Sequence, residues 1–449
     1  MKKRIRKFTS RFNPMQILLF GYLVIMGIGA VLLCLPCATR EGLTTSVMDA
    51  IFTSVSCTCV TGLTRYDTYE HWTLFGQIVQ LMQMQIGAVG FVTMAIALIS
   101  MAKRRFGIRT RIVMQNSMSA PGIGNVVRMT RFTFVFVLIA ELGGALLLAL
   151  WFCPKYGAVG LWYALYHSIS AFCNAGFSIM SVAGENSLSG MTYAFYPSLV
   201  ILFLVVIGGL GFYTILDLFI SRFRFKKLRL QSQLAISVSL ILIVLGTVLV
   251  FICEQFGTAF DGMTVPEQLL SSLFQAITSR SAGFTTLDLE ALTAPSLLIM
   301  VLLTFVGGSV GSTSGGMKTA TLAVLVLNLK STFLRRKDPE AFGRRIDDET
   351  TQIATTVLIL YMGLTFAGGI AMCMIEGCDL SLALFECASA ITTSGFSLGL
   401  APIASIPGQW ILIVLMIIGR VGSITMLLAF SNYRMSVNSK YPSEHIQVG

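Results

Sequence analysis

Four short segments of this chain look alike: SVSCTCVTGLT (54–64), SISAFCNAGFS (168–178), AITSRSAGFTT (276–286) and SAITTSGFSLG (389–399). Each is a run of small and polar residues ending in glycine and a large apolar side chain: Gly62-Leu63, Gly176-Phe177, Gly283-Phe284 and Gly395-Phe396. The glycine intervals are 114, 107 and 112 residues. A fixed period marks a chain built from one supersecondary unit used several times. A short apolar stretch precedes each glycine (47–57, 161–172, 268–278, 382–392). Longer apolar stretches flank it, about 15–35, 131–152, 233–253 and 353–375 before and about 74–101, 196–220, 296–329 and 409–430 after.

Composition identifies the solvent these stretches meet. Hydrophobic residues make up 55% and charged residues 12%, with a mean hydropathy of +0.79. A soluble domain carries about 25% charged residues, so this chain reads as an integral membrane protein. A span needs roughly 20 apolar residues; the long stretches suffice, and the short ones read as re-entrant half-helices. The expected fold is all-α, with four tandem helix–pore-loop–helix repeats around a central pseudo-fourfold pore and eight full spans. The repeats divide the chain at 1–110, 111–229, 230–345 and 346–449.

The net charge of +11 reports topology. Of 32 Lys and Arg, 26 lie in 1–13, 103–131, 222–229, 330–345 and 434–440, between apolar stretches. Basic loops beside spans stay in the cytoplasm, so both termini and the three linkers are expected there, with the spans in the cell inner (plasma) membrane. No basic face is interleaved with stacking aromatics, which argues against nucleic acid. The run from Gln16 to Leu35 after MKKRIRK reads as a retained span. The Cys34/Cys37 and Cys57/Cys59 pairs lack the βαβ context or second ligand pair that redox or zinc chemistry needs, and read as small apolar residues.

Polar loops re-enter a membrane only where protein buries them or they line water. Four of them around an axis would present a ring of backbone carbonyls able to replace the hydration shell of a monovalent cation. Carbonyls aimed at an axis force a backbone that a Cβ obstructs, hence the glycines. The ring would comprise Val60, Thr61, Gly62, Asn174, Ala175, Gly176, Ser281, Ala282, Gly283, Thr393, Ser394 and Gly395. Asp49 and Glu386 are the acids near the half-helices, too few for a divalent-cation ring. Arg280 is expected to hold its loop by hydrogen bonds.

CVTGL, CNAGF, SAGFTT and TTSGF, with the glycine-rich segment below, resemble the Trk/Ktr/HKT superfamily of potassium transporters over about 15–430. Length and the absence of extra N-terminal spans look most like its Ktr-type (KtrB-like) membrane subunits. The resemblance implies a K+-conducting pore, in which a glycine at the position of Gly62 goes with K+ permeation and a serine with Na+ preference. Cys57 and Cys59 stand where the family more often has Ala or Thr. It also implies a homodimer, a KtrA-like cytoplasmic nucleotide-binding regulator-of-conductance ring docking on 103–111, 222–229 and 330–345, and Na+ as a possible activator.

From Pro295 to Leu329 the chain is too long for one straight span, and its middle reads Gly307, Gly308, Ser309, Val310, Gly311, Ser312, Thr313, Ser314, Gly315, Gly316, Met317, Lys318, Thr319. It nearly matches a Walker phosphate loop, but Met317 separates Gly316 from Lys318 and apolar membrane sequence lies on both sides. No nucleotide is therefore assigned to this chain. Glycine gives up roughly 1 kcal/mol relative to Ala in a helix, so the segment is expected to loop out at membrane depth. A loop carrying Lys318 beneath a cation filter would gate it. The resemblance agrees, with Val310, Ser314 and Met317 departing from the usual GGSPGSTAGGIKT. Arg420, a mid-span charge, is expected in the cavity near the gate, and Glu141 in a buried hydrogen bond. No HExxH, GxSxG elbow or catalytic carboxylate pair is present, so transport is expected and an enzyme is not. A Na+-selective or Na+/K+ cotransporting relative is the alternative.

Overall fold

The computed structural model describes residues 14–90, 126–180, 188, 194–336 and 338–422. Its main helices are α1 (Pro14–Leu33), α2 (Val47–Cys59), α3 (Leu74–Val89), α4 (Val126–Tyr156), α5 (Val159–Cys173), α6 (Phe195–Gly209) and α7 (Phe212–Ile220). They continue as α8 (Leu230–Glu254), α9 (Val265–Thr278), α10 (Ala294–Phe305), α11 (Thr319–Phe333), α12 (Asp348–Glu376), α13 (Leu380–Thr392) and α14 (Ile406–Val421). A two-residue hairpin, β1 (Glu340–Ala341) with β2 (Arg344–Arg345), is the one sheet among the described residues.

Helices α1, α4, α8 and α12 are long and apolar enough to cross a bilayer, and each opens one sequence repeat. They expose Phe20, Val31, Leu146, Leu150, Leu240 and Ile359. Such helices are apolar all round, as hydrocarbon requires. The chain is thus a membrane protein of helical architecture.

The stretch 196–220 departs from the straight span expected of it. It is a bent pair, α6 and α7, turning 90° at Leu210-Gly211. The stretch 296–329 breaks between α10 and α11, where looping was expected. The spans expected to end at 101 and 430, the tails 1–13 and 434–440 and the linker 103–111 lie wholly or partly outside the described residues. By length alone four spans are present among the described residues, or five with the bent pair.

The short helices α2, α5, α9 and α13 carry several Ser, Thr or Cys and are buried over nearly all of their last two turns. Polar helices at membrane depth are tolerated only inside protein. Each packs on the long helix of its own repeat, and close approach is secured by small residues. A Cβ on Gly144 would lie 2.5 Å from Ser168 Oγ, one on Gly246 3.2 Å from the Ala276 Cβ, and one on Gly368 3.4 Å from Cys387 Sγ. Gly29 meets Ser54 in the same way. These contacts fall seven or eight residues before Gly62, Gly176, Gly283 and Gly395, so each long helix grips its short helix at the same height.

This packing makes Gly144→Val a test. The new side chain would meet Ser168 and Leu204, the latter 2.7 Å from its Cβ. Overpacking of this kind costs about 1–3 kcal/mol. The unfolding midpoint in detergent should fall, whereas Gly143→Val, with nothing within 4 Å of its Cβ, should leave it unchanged.

Candidate functional site

The four glycines meet in a closed ring. A Cβ on Gly62 would lie 2.6 Å from the Ala175 carbonyl oxygen, and one on Gly176 2.6 Å from that of Ala282. A Cβ on Gly283 would strike the Ser394 carbonyl, and one on Gly395 the Thr61 carbonyl, which closes the cycle. The same atoms would lie 3.0–3.4 Å from the Cα of the next glycine in turn. All four have φ between +70° and +96°, where a side chain is strained whatever the space. The carbonyls of Thr61, Ala175, Ala282 and Ser394 therefore sit between adjacent glycines, and the following residues Leu63, Phe177, Phe284 and Phe396 are fully buried.

Local structure explains the convergence. Helices α2, α5 and α13 end in the left-handed conformation at Val60, Asn174 and Thr393, two residues before the glycine. Each end is closed by a crossed pair of bonds, such as Val60 N to Cys57 O (3.1 Å) and Thr61 N to Ser56 O (2.9 Å). Asn174 and Ala175, and Thr393 and Ser394, repeat the pattern. This is a Schellman cap, rarely built on a β-branched residue. The third copy differs: α9 stops at Thr278, and Ser281, at the equivalent position, has φ +92°. Arg280 occupies the place held elsewhere by Cys59, Cys173 and Thr392. Its guanidinium donates to Ser239 Oγ (3.1 Å) and the Gly307 carbonyl (3.1 Å), fixing the loop to α8 and to the broken segment.

Side chains on the short helices tether the chain beyond each glycine. His167 Nε2 lies 3.1 Å from Ser178 Oγ, and Gln275 Nε2 donates to Thr285 Oγ1 (2.8 Å). Glu386 Oε1 accepts from Ser397 Oγ, Leu398 N (3.0 Å) and Leu400 N (3.2 Å). In the first copy Asp49 pairs with Arg65 (2.8 Å) and accepts from Tyr66 Oη (2.8 Å). Sequence reasoning singled out neither His167 nor Gln275. Their offset of nine and eight residues from the ring glycine, matched by Glu386, was the legible signal.

The segment 307–319 lies against the ring. Thr313 Oγ1 is 2.8 Å from the Asn174 side-chain amide, Gly315 N donates to Ser281 Oγ (3.1 Å), and a Cβ on Gly315 would strike Thr393. Three of the four residues two places before the glycines thus touch it. The segment is anchored at the bend of α6: Ser309 N donates to Gly209 O (2.8 Å), Thr313 N to Gly208 O (3.2 Å), and Phe212 N to Gly311 O (2.9 Å). Lys318 Nζ donates to the Ser314 carbonyl (2.7 Å). Arg420 donates to the Thr313 carbonyl and to Gly87 O and Ala88 O, joining the segment to α3 and α14. All the residues singled out here by sequence are brought together. Glu141 lies apart, accepting from Gln85 Nε2 (2.9 Å).

A second fourfold pattern went unread in the sequence: Gly87-Ala-Val-Gly90, Gly208-Gly-Leu-Gly211, Gly308-Ser-Val-Gly311 and Gly419-Arg-Val-Gly422. The second glycine of each has φ between +72° and +93°. Gly87, Gly208 and Gly419 press on the carbonyls of Thr58, Phe172 and Ile391, each four residues before its ring glycine.

The Glu386 tether predicts a graded stability effect. Glu386→Ala leaves three donors, that of Leu400 fully buried and the other two half-buried, without their acceptor, which costs about 2–3 kcal/mol, while Glu386→Gln keeps an acceptor oxygen. Thermal unfolding in detergent should show a large loss for Ala and a small one for Gln.

Comparison with known proteins fits this architecture. A model of the TrkH family, described as cation transport protein, matches residues 13–439. The chain is 34% identical to the potassium/sodium uptake protein NtpJ of Enterococcus hirae, over 100% of this chain and 99% of the relative. It is 34% identical to the Ktr system potassium uptake protein B of Bacillus subtilis over the same shares. The crystal structure of the potassium transporter TrkH from Vibrio parahaemolyticus has the same fold, with a TM-score of 0.73 and 19% identity over 94% of this chain and 85% of that one. In sequence over nearly its whole length, and in fold, this chain belongs to the TrkH family of cation transport proteins.

Proposed function

We propose that this chain is the ion-translocating subunit of a bacterial K+ uptake system, passing K+ in a channel-like manner through the ring at Gly62, Gly176, Gly283 and Gly395. The observation that carries this reading is the closed cycle in which each glycine abuts the carbonyl before the next. Such carbonyls can replace the water of a monovalent cation. The hydroxyls of Thr61 and Thr393 add support, being buried beside the ring with no hydrogen-bond partner among the described residues. The names of the Enterococcus and Bacillus relatives point to the same ion.

On this reading the chain forms four repeats, 1–110, 111–229, 230–345 and 346–449, with eight spans around one axis and both termini in the cytoplasm. The filter comprises the three residues at each loop, Val60–Gly62, Asn174–Gly176, Ser281–Gly283 and Thr393–Gly395. The segment 307–319 is the gate, held shut by Arg420 and by the carbonyls of the α6 bend. Two such chains in the inner membrane would work with a cytoplasmic nucleotide-binding ring seated on the basic linkers. The name of the Enterococcus relative, which includes sodium, favours as the second reading a Na+-selective or Na+/K+ cotransporting subunit.

Rubidium uptake in a bacterium lacking its own K+ systems tests both. Uptake should be blocked by excess K+, be indifferent to Na+ as competitor, and vanish in Gly283→Asp, whose side chain cannot fit against the Ser394 carbonyl. Suppression by Na+ would select the second reading, and no flux through correctly inserted protein would sink both. Arg420→Ala, by freeing the Thr313 carbonyl, should raise uptake; about 1–3 kcal/mol of lost hydrogen bonding corresponds to roughly five- to a hundredfold in the open population.

A further inference from the structure

We infer that the cavity beneath the 307–319 segment is a binding site for a phosphate-type oxyanion, free or as a phospholipid headgroup. The cavity has a volume of about 240 Å³ and is lined by Gly311, Ser312, Ser314, Gly316, Lys318 and Arg420 among others. Two cationic side chains face it, and no carboxylate does among the described residues. Among the described residues both cations are satisfied only by neutral groups: Lys318 by the Ser314 and Gly315 carbonyls, Arg420 by those of Thr313, Gly87 and Ala88. Two like charges sharing one low-dielectric space repel, and a counter-ion between them relieves that repulsion.

Three further observations specify an oxyanion. Lys318 is the N-cap of α11, a 15-residue helix, so the positive end of a helix dipole opens at the same place. The Ser312 hydroxyl is buried and without a partner among the described residues, and Ser312 lines the cavity. The run has the residue types of a phosphate cradle, glycines before a helix that starts with lysine, although Met317 spoils the nucleotide spacing and the N–H groups of Ser309, Ser312, Thr313, Gly315, Met317 and Thr319 already donate within the protein. The sequence also limits where a protein carboxylate could come from. Residues 91–125, which follow Gly90 at the cavity, hold five basic residues and no acid, and residues 423–449 hold a single acid, Glu444.

The site rests on geometry alone; its consequence rests on the pathway reading, since a bound anion would cancel charges that oppose a passing cation. The test needs no flux, so binding can fail while uptake stands, and the reverse. Purified protein in phosphatidylcholine nanodiscs, equilibrated with radiolabelled inorganic phosphate, should bind about one phosphate per chain. Lys318→Met and Arg420→Met should each weaken binding about tenfold or more, as loss of a charge-assisted hydrogen bond implies, and Lys318→Arg should restore most of it. Ser312→Ala, which removes only an unpartnered hydroxyl, should weaken it about threefold and guards against misfolding of the charge variants. In native mass spectrometry of protein from phosphatidylglycerol-containing membranes, a lipid retained by wild type, lost in Lys318→Met and displaced by phosphate would identify the headgroup as the source. If folded wild type holds neither phosphate nor phosphatidylglycerol, or if both methionine variants hold them equally, the inference is wrong.

Discussion

The close approach of four backbone segments around one point governs the arrangement of this molecule. Each ring glycine lies so near the preceding carbonyl of its neighbour that a single Cβ would collide with it. The contact is cyclic, so displacing one copy displaces the next. It can form only if the chain turns from the end of each short helix toward the same point. Three do so through the same left-handed cap, at Val60, Asn174 and Thr393. A left-handed valine or threonine is strained and persists only where its surroundings over-determine it. Those surroundings are the long helices that grip each short helix and the tethers from His167, Gln275, Glu386 and Asp49.

Membrane depth explains how the irregular backbone inside this molecule is held. Backbone groups that leave a helix there have no water to turn to. The 307–319 segment meets this demand by bonding to another break, the bend between α6 and α7. The two irregular stretches satisfy each other: Ser309 and Thr313 donate to the Gly208 and Gly209 carbonyls, and Phe212 donates to Gly311. Arg420 serves the same end for the carbonyls of Gly87 and Ala88. An intramembrane arginine is costly unless it gains this kind of return.

The third repeat departs from the others in a connected way. Its short helix ends early, Arg280 takes the place of a neutral residue, and its second long stretch is broken. Arg280 reaches the Gly307 carbonyl, so the altered cap and the broken helix are one structural unit. With one copy modified in this way, a single loop lies against a ring that four identical copies would leave symmetric.

Much of this was legible in order along the chain. Hydropathy and the spacing of Gly62, Gly176, Gly283 and Gly395 determined the class and where the helices begin to within about five residues, because membrane solvation and close packing write themselves into length and residue size. The glycine-rich break at 307–319 and the Arg280 anchor were readable for the same reason. Partner choice was not. That Arg420 bonds Thr313, that His167 and Gln275 tether the loops, and that 196–220 bends to receive the broken segment depend on contacts between residues dozens to hundreds of positions apart. Only the tertiary structure decides these, since local sequence specifies that a carbonyl needs a donor and three-dimensional packing determines which donor arrives.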